Sequence, residues 1–375
     1  MKRILFLIVI MALFLSACSG QPETLAPTET PTAEVVETPA PVEDRLNVIA
    51  TIFPQYDFIR QIAGDRVDLA MLISPGAESH AFEPTPRDMI ALNEADLLIY
   101  VGGHGDTWVD AILTSLDNEN IGRVALVDLV DTVEVEHDHD HYHGHTCAHD
   151  EHHHDCDDDH TCSDNHHHGD CSDDHHDCDD DRHSDCDDDH HHDCDDHDHV
   201  HLDEHVWTSP QNAILIVKAL TETLSELDPA NAEFFRENAA RYIEELTALD
   251  AAFAEVVAQG VRQTVVFGDR FPFRYLMDAY GLDAHAAFIG CSAETQASPA
   301  TLARLIELVE AEDIPVVFYI EFSNQLIANV IAEATGARLL EIHSAHNVSA
   351  ADFAAGVTYV DLMRQNVEHL REALS

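Results

Sequence analysis

Eight short apolar runs of four to seven residues, alternating with stretches of helical period, constrain the fold of this 375-residue chain more than any other feature. Four lie in the first part, at Asn47–Ile52, Val67–Ile73, Leu97–Val101 and Val124–Val127. Four lie in the second, at Thr264–Phe267, Ala284–Phe288, Pro315–Ile320 and Arg338–Ile342. Unbroken apolar character predicts strands covered on both faces, and helices between successive strands predict parallel sheets. The helices fall at Gln55–Ala63, from Thr85 with Pro86 in the first turn, and at about Thr107–Leu116. In the second part they fall near Pro272–Tyr280, Pro299–Ala311, Asn324–Thr335 and Ala350–Leu374. Two further helices separate the series, Pro210–Glu226 and Asn231 to about Val257. The second of these is about 40 Å long at ~1.5 Å per residue. The expected fold is α/β, with two lobes, each a mostly parallel sheet flanked by helices. One long rigid helix joins them, and ligands favour the cleft between such lobes.

The start of the chain fixes an expected compartment. Lys2 and Arg3 precede an apolar run, Ile4–Leu15, too short for the ~20 residues of a membrane span. Leu15-Ser16-Ala17-Cys18 then resembles a bacterial lipobox, in which the cysteine becomes the lipidated first residue of the mature protein. Residues 1–18 therefore read as a lipoprotein signal, and 19–45, rich in Pro, Thr and Glu, as a disordered tether. Residues 46–228 form the expected first lobe, 229–259 the connecting helix and 260–375 the second lobe.

The first lobe is interrupted by residues 137–201, which hold 22 of the 29 histidines, 7 of the 9 cysteines and 24 of the 72 acidic residues. So much charge with so little apolar surface predicts disorder without metal. No CxxC pair occurs, so it is not a zinc finger. Imidazole, carboxylate and thiol groups on a flexible chain bind several metal ions weakly. His137, His139, His141, His143, His145, His152, His153 and His154 begin this auxiliary metal-binding insert. In an oxidising compartment its cysteines could pair instead. The formal net charge of −54 argues against nucleic acid or an anionic membrane surface as partner.

Seven histidines remain outside the insert: His80, His104, His205, His285, His343, His346 and His369. Several occupy strand-to-helix loops, where α/β sheets place their sites. His80 lies in Gly76-Ala-Glu-Ser-His-Ala-Phe-Glu-Pro-Thr-Pro-Arg-Asp88, and His205 in Asp203-Glu-His-Val-Trp207. Histidines at equivalent loop ends suit a divalent transition metal, with a neighbouring carboxylate orienting the ring.

These two motifs, with Ala95-Asp-Leu-Leu-Ile-Tyr100, resemble the metal-binding proteins of ABC-type zinc and manganese importers. The resemblance covers Leu46 to the C-terminus apart from the insert. It implies metal binding by His80 and His205. The family's usual histidine after the first strand of the second lobe is replaced here by Arg270, which cannot bind a metal, so Asp269 becomes the nearest substitute. The last family ligand falls near Ile342-His343-Ser-Ala-His346, with His343 preferred and His346 its rival. Glu321 could line the same cleft, and Glu294 resembles a structural motif of the family. A nitrogen-rich shell and a His-rich insert at this point favour zinc as the cargo over manganese, with manganese or another divalent transition metal such as nickel or copper as the alternative.

The expected function is extracytoplasmic capture of a divalent metal by a protein anchored through Cys18, with delivery to an ABC-type permease. A different class of function, a buffering or adhesion lipoprotein working through the insert, also fits the composition. No general base is placed for a zinc hydrolase, so no enzyme is expected.

Overall fold

In the first sheet the two central strands bury most of their side chains, the two edge strands bury one each, and alternate residues go to opposite faces. Val48 and Ala50 point to one face and Ile49 to the other, all 5 % exposed or less. The computed structural model describes residues 45–77, 82–103, 106–118, 120–133, 202–288 and 297–375. The first sheet comprises β1 (Leu46–Ala50), β2 (Val67–Met71), β3 (Leu97–Tyr100) and β4 (Gly122–Ala125), paired in parallel in the order β2-β1-β3-β4. The second comprises β5 (Thr264–Phe267), β6 (Asp283–Ala286), β7 (Val316–Tyr319) and β8 (Arg338–Glu341), in the order β6-β5-β7-β8. The two sheets thus repeat one topology. In each, the chain reverses direction between the first and third strands, so β1/β3 and β5/β7 flank a switch point. Binding crevices open beyond the carboxyl ends of such strands.

The crossover helices sit where the apolar period puts them: α1 (Phe53–Ala63), α2 (Pro86–Glu94) and α3 (Thr107–Ser115) on the first sheet. Helix α2 starts with a capping box, in which the Thr85 side chain accepts from the Asp88 N–H and Asp88 accepts in return from the Thr85 N–H. The chain re-enters at residue 202, passes a 3-10 turn (Val206–Thr208) and forms α4 (Pro210–Leu227) and α5 (Ala232–Gln259). The second sheet carries α6 (Arg274–Tyr280), α7 (Pro299–Ala311) and α8 (Leu326–Thr335).

Helix α5, with 28 residues, is the central prop. Phe235, Ala239, Tyr242, Leu246, Leu249, Phe253 and Val256 are buried at alternating steps of four and three, a stripe that stays on one face. That stripe joins one core containing Val48, Leu97 and Ile99 of the first sheet and Val265, Phe267 and Phe318 of the second. The outer faces have separate cores: Ile49, Leu98, Val109 and Ile112 on the first sheet, Val266, Val317, Leu305 and Ile331 on the second.

The C-terminal segment differs from expectation. One helix was expected over Ala350–Leu374, but α9 (Ala350–Ala355) and α10 (Tyr359–Leu374) are separate. Gly356 closes α9 in the left-handed region at φ 76°, and Thr358 opens α10 by a capping box with Asp361. The break lets the Tyr359 N–H reach Asp57 Oδ2 at 2.7 Å. Asp57 is fully buried beside Arg60, and burial raises its carboxyl above the usual range against the opposing pull of Arg60 and that N–H.

Candidate metal centre

The segment after the insert is folded by its own aspartate. Asp203 Oδ1 accepts both the backbone N–H of His205 and its ring Nδ1, each at 2.9 Å. Both residues are buried. Burial alone would raise the Asp203 carboxyl, but the hydrogen bonds it accepts from the side chain and backbone of His205 outweigh it and hold the group below its ordinary range. An ionised carboxylate only accepts, so Nδ1 carries the proton and Nε2 presents the lone pair. A ring oriented in this way is the usual arrangement of a metal-binding histidine.

The loop after β8 approaches from the second sheet. Trp207, buried in the 3-10 turn, donates from Nε1 to the Ser344 carbonyl at 2.9 Å, while Tyr359 Oη donates to the Trp207 carbonyl at 2.7 Å. These bonds put His346 against the first-sheet residues. Its ring centroid lies 5.9 Å from that of His205 and 5.2 Å from that of Trp207, edge-on to both. The Phe53 N–H donates to the His346 carbonyl at 3.3 Å, and Asn347 Nδ2 donates to the Ser74 and Ala77 carbonyls at 3.0 and 2.9 Å. The loop is therefore fastened to the residues that lead in sequence to His80.

His343, preferred from sequence, is held differently. Its Nδ1 accepts the Ala345 N–H at 2.9 Å, and its backbone exchanges two hydrogen bonds with buried Asn366. A neutral ring accepting at Nδ1 carries its proton on Nε2, so neither nitrogen offers a lone pair outward. Of the two loop histidines, the structure brings His346 to His205. Glu321 lies with Oε1 3.7 Å from His343 Nδ1 and accepts from the Ser344 N–H and hydroxyl, so it orders the loop. Asp269 stands at the second sheet's switch point, where its carboxylate accepts the Arg270 N–H at 2.8 Å and the Ser323 hydroxyl. His285 sits beside Asp283 on β6 and His369 against the Glu341 carbonyl, neither of them part of this group.

Asp106 is a residue the sequence reading missed. Its Oδ2 accepts the Val101 and Gly102 N–H groups at 2.8 and 3.1 Å, beyond the end of β3 at the first sheet's switch point. Burial raises its carboxyl, while the backbone N–H groups and the nearby His346 lower it. The available signal was its place after a strand in Gly102-Gly103-His104-Gly105-Asp106. Gly103 has φ 82°, and a Cβ there would meet Glu204 Cγ at 2.8 Å, so only glycine lets this loop pass the His205 segment.

Among the described residues no three His, Cys, Asp or Glu side chains converge closely enough to hold an ion. His80, His104 and Glu294, with Cys18 and the insert from His137 to His201, lie outside the described residues.

Residues 48–373 match the family model described as the periplasmic component A of the zinc-uptake complex, ZnuA. The chain belongs to that family. The ZnuA assignment accords with the two parallel sheets and with the motifs around His80 and His205. The zinc-binding lipoprotein AdcA of Streptococcus pneumoniae is 28 % identical over 379 residues, covering 99 % of this chain and 61 % of its own. The chain thus spans about three fifths of that relative's length. The high-affinity zinc uptake system protein ZnuA of Bacillus subtilis is 26 % identical over 334 residues, with 88 % of each chain covered. Among solved structures, the Zn(II)-bound ZnuA-like domain of S. pneumoniae AdcA superposes with a TM-score of 0.62 at 26 % identity, over 88 % of this chain and 99 % of that one. The metal-dependent lipoprotein YcdH of B. subtilis shares the fold, with a TM-score of 0.64 over 88 % and 100 % of the two chains.

Proposed function

We propose that this protein captures a divalent transition metal, zinc, outside the cytoplasm and hands it to an ABC-type permease in the membrane to which Cys18 anchors it. The carrying observation is that two imidazoles from opposite halves, His205 and His346, meet at 5.9 Å, with the tautomer of His205 fixed by Asp203. Two neutral imidazoles suit zinc better than manganese. Ligands drawn from both halves make binding depend on their mutual position, which is how a carrier lets a partner trigger release. His80 supplies the third nitrogen through its motif, and Asp106 or Asp269 is the nearest source of a carboxylate.

Three features support this reading. The family is a component of a zinc-uptake complex, which implies a partner permease. The S. pneumoniae relative is a zinc-binding lipoprotein. The position of Cys18 in a lipobox-like motif accords with an extracytoplasmic, lipid-held protein. The reading assigns no catalytic role. Competition for zinc against a chromophoric chelator tests it: one tight site is expected, lost in His205→Ala and weakened in His346→Ala. A tight site indifferent to both substitutions would overturn it.

A further inference from the structure

Val133 and Leu202 are the described residues on either side of the segment that contains the insert. The two ends are closed by a ring of three hydrogen bonds. The Asp203 N–H donates to the Val133 carbonyl at 2.9 Å, the Val133 N–H donates to Tyr275 Oη at 3.1 Å, and Tyr275 Oη donates to the Asp203 carbonyl at 2.7 Å. Tyr275 belongs to α6 on the second sheet, whereas Val133 and Asp203 follow the first sheet, so one phenol oxygen reaches across to both. The ring of Tyr275 is 5 % exposed and needs no hydroxyl for its packing. A buried phenol that both donates and accepts fixes the direction of each backbone group it touches.

Asp203 is therefore held from two sides. Its backbone is pinned by Val133 and Tyr275, and its carboxylate engages His205 through two 2.9 Å contacts. We infer that Tyr275 is a positioning residue of the metal centre: by closing the root of the insert it fixes Asp203, and through Asp203 it fixes the ring of His205. Burial pushes the phenol up to about 12, so it stays a donor throughout the neutral range. The clamp also joins the residues on either side of the His-rich insert, whose last residue in sequence is four before His205. The inference rests on the proposed metal site and deepens it.

Groups that orient a metal-binding histidine change affinity by about 10- to 100-fold when removed. Zinc affinity at the tight site is measured with a competing chelator strong enough to strip the insert. The full-length chain is compared with Tyr275→Phe, Asp203→Asn and the double variant, and melting of the metal-free proteins is followed in parallel. Tyr275→Phe is expected to weaken zinc about tenfold in the native background and less than about twofold when Asp203 is already Asn. An equal loss in both backgrounds would mean that the hydroxyl serves general structure, and no loss in the native background would mean that it serves nothing at the site; either overturns the inference. Should Tyr275→Phe not fold, Val133→Pro removes the one N–H that Tyr275 accepts, and a several-fold loss confined to the Asp203 background is expected. A wild type whose zinc affinity is unchanged by His205→Ala overturns the metal-site reading itself, and the two failures are thus told apart.

Discussion

The ring Nδ1 of His205 lies 2.9 Å from Oδ1 of Asp203, and both side chains are shut away from solvent. A carboxylate in that position decides which imidazole nitrogen carries the proton, and so which one faces a metal. Asp203→Asn would allow the opposite tautomer by offering an amide donor. Zinc affinity is expected to fall about 10- to 100-fold with little change in the circular-dichroism spectrum. An unaltered affinity would show that the pair only stabilises the turn.

His346 and His343 lie three residues apart in sequence but are differently engaged. His346 is edge-on to His205, whereas His343 Nδ1 accepts the Ala345 N–H at 2.9 Å. His346→Ala is expected to weaken zinc by at least an order of magnitude. His343→Ala is expected to cost about 1–3 kcal/mol of stability, from a buried hydrogen bond left unmade, with a smaller effect on zinc. Parallel titration and urea unfolding of the two variants separate these effects, and the reverse ranking would restore His343 as ligand.

The placement of His346 beside His205 marks where sequence stopped being informative. The central strands were legible because burial on both faces leaves continuous apolar runs, the part-exposed edge strands because they alternate with helices, and α5 because its stripe holds over 28 residues. All are local signals. His343 and His346 both follow the last strand, and the motif alone does not say which of them meets His205. What brings His346 to His205 is the Trp207 Nε1 bond to Ser344 and the turn through Ala345, whose φ is +59°. Those depend on residues more than 130 positions apart and leave no periodic trace. Asp106 escaped for a similar reason: it resembles a helix cap, yet its carboxylate turns back to the Val101 and Gly102 N–H groups. The α9–α10 break, by contrast, was written in Gly356 and in Thr358 three residues before Asp361.

Zinc binding should fall steeply below about pH 6, because each imidazole must be neutral to bind and protons compete with the metal for the same lone pair. Affinity measured from pH 5 to 8 should rise with pH by more than one proton's worth per ion. A flat profile would exclude a site built on several histidines.

Asp57 has the opposite consequence for folding. Its carboxyl is raised by burial, so the native state holds that proton more tightly than the unfolded chain does. The group's stabilising contribution is full below about 4 and is lost as pH climbs through the raised value. Asp57→Asn removes this dependence. The variant's deficit in urea unfolding of the metal-free protein should therefore be smaller at pH 7 than at pH 4. A larger deficit at pH 7 would mean that the contacts to Arg60 and Tyr359 outweigh burial.

Deleting residues 137–201 separates capture at the site from buffering by the insert. One tight zinc ion should survive the deletion while the weaker ions disappear. Loss of all binding would transfer the function to the insert.

The most direct test is a zinc-loaded crystal structure of the full chain with anomalous data collected on both sides of the zinc edge. The account predicts one strong peak bonded to Nε2 of His205 and to a ring nitrogen of His346, about 2.0–2.1 Å from each. A principal peak that touches neither histidine, or one held only by insert residues, would contradict it.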